Sequence, residues 1–215
     1  VAEYIKQKTP KGTVVYCNES KVVRELSDYF KQNLPEMAIA TCTTTQETDS
    51  DFEIMRFRNS EADYLLCDRS GEEGKNFQFA TAALHVGIPW DPLRVEQRIG
   101  RIDRYSNGPP VETHIIIPDH ELTHLWIKFL TDGYEVFTHS IATIQHALTS
   151  THEEFLDSLL AMGSESIEEH ISTLNDRLNI ERNEILNIEY MESNEVESQL
   201  TQSIYNELSE IESDP

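Results

Sequence analysis

Between Gly12 and Asp119, short apolar runs alternate with segments of helical period, and this alternation limits the fold more than any other feature of the chain. GTVVYC (12–17) reads as a strand entered from Gly12, and Lys21–Lys31 then places Val22, Val23, Leu26 and Phe30 on one helical face. Met37–Ala40 is a weaker second strand. Asp51–Arg58 is a short helix carrying Phe52, Ile54, Met55 and Phe57, and YLLCD (64–68) is a buried strand. AALHVGIPW (82–90) and HIIIPD (114–119) supply two more. Strands separated by helices of this length call for right-handed crossovers and a parallel sheet covered on both faces. The expected class is therefore α/β over about residues 1–118. In such sheets ligands gather beyond the carboxyl ends of the strands, here the loops after Cys17, Cys67 and Gly87.

After Pro118 the signal becomes helical. Asp119 is the expected cap of a helix running to about Leu130, Gly133 interrupts, and Val136–Leu148 is a second amphipathic run. We take 119–150 as a helical hairpin packed on the lobe. Thr151 with Glu154 and Ser166 with Glu169 have the spacing of capping boxes, so 151–215 reads as an acidic, all-helical extension. The formal net charge of −22 is unevenly spread: residues 151–215 hold 17 acidic and 2 basic side chains. That tail repels nucleic-acid phosphate, and any contact with it must come from local basic patches. The three cysteines, Cys17, Cys42 and Cys67, are widely spaced with no CxxC pair, which fits reduced, buried cytosolic residues rather than a disulfide framework. No run approaches the ~18 apolar residues of a membrane-spanning helix, and no signal peptide opens the chain. A start at VAEYIK, without Met, is expected of a piece of a longer protein.

Arginines at 94, 98, 101 and 104 are the main chemical feature. If 94–104 is a helix, Val95, Ile99 and Ile102 share the side facing the sheet, and Arg94, Arg98 and Arg101 share another. Gly100 permits close backbone approach. Two readings stand at this point: a solvated helix face, or a site for phosphate, which a guanidinium fork binds through two parallel charge-assisted bonds. LLCDRSGEEGKNFQFA (65–80) offers a strand, a glycine-containing turn and a helix-compatible segment. It is not an ATP-cradling P-loop. Two residues separate Gly71 from Gly74 where four are needed, and Asn76 rather than Ser or Thr follows Lys75. No Asp-Glu pair follows an apolar strand either.

Taken together, LLCDRSGEEGKNFQFATAALHVGIPWDPLRVEQRIGRIDR resembles helicase motifs V and VI of superfamily 2 Snf2-type ATPases, and within them the bacterial RNA-polymerase-associated RapA/HepA-like group. GTVVYCNESKVVRELSDYF stands where such proteins carry motif IV. The likeness covers about residues 1–118 and continues loosely through LWIKFLTDGYEVFTHS. It implies a RecA-like parallel sheet flanked by helices, the second lobe of a two-lobed motor whose P-loop and Asp-Glu box belong to the first. ATP and Mg²⁺ would be held mainly by that first lobe, and the isolated chain would be inactive. Carried over by position, Arg101 and Arg104 would be arginine fingers. Gln97, Glu73 and Gly74 would lie at the nucleotide, and Lys75 and Asn76 at the nucleic-acid backbone. Arg98 would serve the lobe's own ion pairs, with Asp91 or Asp103. The implied partners are the first lobe, nucleic acid of the double-stranded DNA kind, and RNA polymerase or another protein complex. The implied location is the bacterial cytoplasm, at the nucleoid. One departure is that relatives often continue the arginine motif with Ile-Gly-Gln, where this chain has Tyr105-Ser106-Asn107-Gly108.

Rival readings come from other classes. One is a non-catalytic docking module, for example on RNA polymerase. Another is a zinc hydrolase built on His120-Glu121-Leu122-Thr123-His124, an HExxH match with Glu135 as third ligand. Against it, Pro118-Asp119 makes this a first helical turn, where Glu121 would complement the helix dipole. His85 in its apolar strand reads as a satisfied core histidine, and Trp90 and Trp126 as packing residues rather than base-stacking platforms. The acidic helices read as a solvated face, or alternatively as a gate over a basic track.

Overall fold

The computed structural model describes residues 1–45, 49–72, 74–102, 111–138 and 141, and, further on, 157, 171–173, 175–180, 183, 184 and 187. The chain divides into two compact units, Val1–Ile141 and Ala142–Pro215. In the second unit, residues 171–173 and 175–180 are helical, and Ile171 and Leu178 are buried. The two capping-box patterns and Arg104, Asp103, Glu73 and Tyr105–Gly108 lie outside the described residues.

The first unit is built on five parallel strands, β1 (Thr13–Cys17), β2 (Ile39–Cys42), β3 (Tyr64–Cys67), β4 (Ala82–Val86) and β5 (Glu112–Ile116), in the order β2-β3-β1-β4-β5. Five helices accompany them: α1 (Ala2–Lys8), α2 (Ser20–Asn33), α3 (Ser50–Arg58), α4 (Pro92–Ile102) and α5 (Glu121–Lys128). The α/β parallel sheet expected from the alternation is present. The period of two explains its layers. Val15 and Cys17 pack with Ile5 of α1 and with Val23 and Phe30 of α2. Val14 and Tyr16 point the other way, into a core with Phe57 of α3 and Ile102 of α4. With both faces covered, β1 and β3 are buried along their whole length, which is why they read as continuous apolar runs. β5 is an edge strand and only half-covered.

Some expectations fail locally. The segment after β3 is not a helix: Arg69–Gly71 forms a single 3-10 turn, and the chain then runs irregularly to β4. Asp68 takes over as local organiser. Its carboxylate accepts from Ser70 N at 2.9 Å, from Thr44 N and Oγ1 at 3.0 Å each, and from the Ser20 hydroxyl. Burial opposes its charge, but these donors outweigh burial and hold its pKa below the usual carboxylate range. The cap of α5 is His120, not Asp119; its Nδ1 accepts from Leu122 N at 3.2 Å. A π-helical turn, Phe129–Gly133, follows α5, and Val136–Thr138 form a turn rather than the start of a helix. The remainder of the run to Leu148, apart from Ile141, is outside the described residues. Helix α1 has no counterpart in the sequence reading.

His85 is a core residue, but not a satisfied one. It is fully buried, its ring stacks on Tyr16 with centroids 5.5 Å apart, and neither ring nitrogen has a hydrogen-bond partner among the described residues. Burial, reinforced by the nearby charge of Arg98, pushes its pKa down to about 3. All three cysteines are free and buried.

Two predictions follow the packing. His85 is neutral in the folded chain, whereas the unfolded chain takes up a proton near pH 6.5. The neutral ring's contribution is complete above about pH 6.5 and is lost as the pH falls toward 3, at about 1.4 kcal/mol per pH unit inside that window. His85→Phe keeps the stacked ring and removes the titration. Urea unfolding from pH 4.5 to 7 should show a slope in the parent chain that the variant lacks; equal slopes would refute the assignment. At Gly71, an added Cβ would sit 2.7 Å from Cys67 Cβ. Gly71→Ala should cost about 1–3 kcal/mol by overpacking, read as a lowered unfolding midpoint.

Candidate functional site

Three loops converge beyond the carboxyl ends of β1, β3 and β4, and α4 crosses above them. Sheet order changes direction between β1 and β4, the place where α/β sheets open a crevice. Val95, Ile99 and Ile102 are buried toward the sheet, as the helical spacing requires. The start of α4 is fixed by Asp91, whose carboxylate accepts from Leu93 N at 3.0 Å.

The arginines of α4 are not equivalent. Arg98 has no exposed surface at all. Its Nε and Nη2 lie 2.8 and 2.7 Å from Glu72 Oε1, and Nη2 also donates to Asn18 Oδ1 at 2.9 Å. Its guanidinium carbon sits 5.4 Å from the centre of the Tyr16 ring, and Tyr16 Oη donates to the Arg98 carbonyl oxygen at 3.2 Å. The partner is thus Glu72, not Asp91. Arg94 grips the same carboxylate in bidentate fashion, Nε to Oε2 at 2.9 Å and Nη2 to Oε1 at 2.8 Å. Burial works against the charge on Glu72, but the bonds from Arg94 and the charge of Arg98 outweigh it, and its pKa lies below the usual range. For Arg98 the balance falls the other way: burial lowers its pKa despite Glu72.

Arg101 is held differently. Its Nε donates to the Glu72 carbonyl oxygen at 2.9 Å, and its own carbonyl accepts from Phe77 N at 2.8 Å. It is half-buried, and its two Nη groups have no partner among the described residues. Asn18 is placed by close quarters: Gly87 has φ +75°, and a Cβ there would lie 3.0 Å from Asn18 Nδ2. Gly87 therefore serves both a left-handed turn and the room that Asn18 needs.

The other residues singled out by sequence are spread around this cluster. Gly74 has φ +65° with nothing within 4 Å of a would-be Cβ, so the backbone conformation alone calls for glycine. Lys75 pairs with Asp51 at 2.5 Å. Asn76 is exposed and closes a turn by accepting from Gln78 N at 3.0 Å. Gln97 is exposed on α4. Gly100 has no neighbour within 4 Å of a would-be Cβ among the described residues, so none of them uses the close approach that it permits. Glu72, the organiser of the cluster, was missed by sequence reasoning, which chose its neighbour Glu73. Trp126 is buried with Nε1 donating to the Pro89 carbonyl oxygen at 2.8 Å, and Trp90 stacks on it at 5.3 Å. The HExxH pair is engaged locally, His120 as helix cap and His124 with Asp119 at 2.9 Å. No group of three or more His, Cys, Asp or Glu able to hold a metal occurs among the described residues.

Residues 1–106 match the helicase conserved C-terminal domain. The chain is 32% identical over 100 residues to the RNA polymerase-associated protein RapA of Klebsiella pneumoniae, covering 46% of this chain and 10% of that protein. It is 32% identical over 115 residues to the RapA of Pectobacterium carotovorum, covering 52% of this chain and 12% of that protein. The match thus spans about a tenth of the length of these relatives. Among solved structures, the C-terminal domain of the DEAD-box protein Dbp5 superposes with a TM-score of 0.51 at 14% identity, over 62% of this chain and 75% of that one. Dbp5 of S. cerevisiae bound to RNA and ADP BeF3 gives 0.51 at 15% identity, over 65% and 36%. At these identities the structural likeness is one of fold. The sheet and the matched sequence agree: residues 1–106 carry the helicase conserved C-terminal domain on a RecA-like parallel sheet, and RapA proteins are among the relatives of the chain.

Proposed function

We propose that the chain is the second motor lobe of an ATP-dependent, Snf2/RapA-like nucleic-acid translocase, with Arg101 and Arg104 as its arginine fingers. The observation that carries this reading is the asymmetry of Arg101. One nitrogen is fixed to the Glu72 carbonyl, and the fork itself, Nη1 and Nη2, is left without a partner among the described residues. A guanidinium anchored at Nε and open at both Nη groups is preorganised to give two charge-assisted bonds to a phosphoryl group at the moment charge develops there. It loses little entropy in doing so, because its anchor is already made.

The fold supports the rest of the assignment. Arg101 is held by the loop that leaves the carboxyl end of β3, and a nucleotide held by a partner lobe would arrive beyond the carboxyl ends of the strands. The first lobe of the same full-length protein would supply the phosphate-cradling loop and the ligands of Mg²⁺. Lys75 and Asn76, on the loop that leaves Glu72, would meet the nucleic-acid backbone. The Lys75–Asp51 pair does not stand in the way: Asp51 is four-fifths exposed, and a surface pair of this kind is worth at most about 1 kcal/mol. Gln97 lies on the exposed side of α4, one turn before Arg101, and would flank the nucleotide with Glu73 and Gly74. Closing and opening of the two lobes would couple phosphoryl transfer to movement along double-stranded DNA. The naming of the relatives as RNA polymerase-associated supports that enzyme as a docking partner and a cytoplasmic, nucleoid-bound location.

ATP hydrolysis by the full-length protein, with and without double-stranded DNA, tests the reading. Arg101→Ala should reduce the DNA-stimulated rate by ~10³ or more, and the 215-residue chain alone should turn over no ATP. An unchanged rate in the variant would make the arginine structural and favour a docking module.

A further inference from the structure

Glu72 is the point at which three arginines of α4 meet one residue of the loop after β3. Its carboxylate takes two bonds from Arg94 and the paired nitrogens of Arg98, while its main-chain oxygen takes Arg101 Nε. It is only 4% exposed, and the other hydrogen-bond partner of the Arg98 guanidinium among the described residues is the neutral amide of Asn18. The loop then returns to the helix: Phe77, wholly buried, donates its N–H to the Arg101 carbonyl. Arg101 is therefore clasped between residues 72 and 77 of this loop, once by side chain and once by main chain.

A carbonyl oxygen can aim a guanidinium only if the peptide that carries it is immobile. Beyond the Asp68–Ser70 network and the close packing of Gly71, the 3-10 turn ends at Gly71, Gly74 adopts a left-handed conformation, and Lys75 and Asn76 make surface contacts, so Glu72 is the buried ionic anchor of 69–76 among the described residues. The immobility comes from the Glu72 carboxylate, which is tied to the same helix it helps to aim. Building on the arginine-finger reading above, we infer that Glu72 is a positioning residue: its ion pairs with Arg94 and Arg98 lock the loop peptide whose carbonyl holds Arg101 Nε and turns the free Nη groups toward the phosphoryl group. It touches no substrate atom itself. The function of Arg94 and Arg98 is then to fix the finger rather than to bind phosphate.

Four full-length proteins test this under saturating DNA: the parent, Arg101→Ala, Glu72→Gln and the double variant. Glutamine keeps the shape of Glu72 but presents an N–H pair to a guanidinium and carries no charge. Glu72→Gln should lower kcat for ATP about 10–100-fold with KM changed less than about threefold, the pattern of an interaction made only in the transition state. Added to Arg101→Ala, it should cost no further kcat, because a misaimed finger matters only where there is a finger. Arg94→Gln gives a second route if Glu72→Gln does not fold, since it leaves the buried Glu72–Arg98 pair intact; a smaller kcat loss is expected, again absent without Arg101. If Arg101→Ala is costly while Glu72→Gln and Arg94→Gln are not, or if their losses multiply with that of Arg101→Ala, positioning by Glu72 is overturned and the finger reading stands. A harmless Arg101→Ala removes the finger reading and this inference with it.

Discussion

A fully buried guanidinium is the constraint around which the active edge of this lobe is arranged. Arg98 lies wholly inside the first unit, beneath α4 and against the ring of Tyr16. Removing two charges from water costs several kcal/mol per ion, and a buried ion pair returns that cost only with good geometry and satisfied hydrogen bonds. The Glu72–Arg98 contact meets most of those demands, through Nε, Nη2 and the amide of Asn18, and leaves Nη1 without a partner among the described residues. Such a pair is a poor source of net stability but a strong source of specificity. Any register of α4 or of the loop after β3 that separates the two leaves an uncompensated charge in the core. The sheet edge is thereby pinned at three points: β1 through Asn18 and Tyr16, β3 through Glu72, and β4 through Gly87, which makes room for Asn18.

Asp68 does on the other side of the sheet edge what Glu72 does on this one. It ties Ser20 at the start of α2, Thr44 after β2 and Ser70 after β3 into one network. Both acids lie in the segment between β3 and β4, where a single 3-10 turn, Arg69–Gly71, is the one helical element among the described residues. A buried carboxylate with several donors substitutes for the missing secondary structure, since each donor would be left unsatisfied if the loop moved. This explains how an irregular segment of glycines and charges is held in place. It also explains why Gly71, between the two acids, is packed so closely against Cys67.

The strands were legible because their causes are local. β1, β3 and β4 are runs of β-branched and apolar residues bounded by Gly, Asp and Pro, and burial on both faces follows from their continuity. The register of α4 was legible too, because Val95, Ile99 and Ile102 fix which side meets the sheet. The fate of the arginines was not. Helical spacing puts Arg94, Arg98 and Arg101 on one side, yet it is silent about an acid that a loop brings in from 22 to 29 positions away. Glu72 and Glu73 are adjacent and identical in type, and only the fold of a loop without periodicity separates the organiser from its neighbour. The α5 cap illustrates the same limit at small scale: Asp119 is the better cap by type, but the helix begins one residue later and His120 takes the position. In each case the misreading arose where a side chain's partner was chosen by tertiary placement rather than by period.

This division among the arginines also resolves their presence in so acidic a chain. At physiological salt, charges more than about 8 Å apart are largely screened, so the charges close to α4 dominate the potential there. Arg94 and Arg98 both bond to the carboxylate of Glu72, whereas Arg101 reaches only its carbonyl oxygen. Because Arg94 and Arg98 close on the carboxylate, Arg101 is the one of the three that is anchored at Nε alone, with no partner for its Nη groups among the described residues.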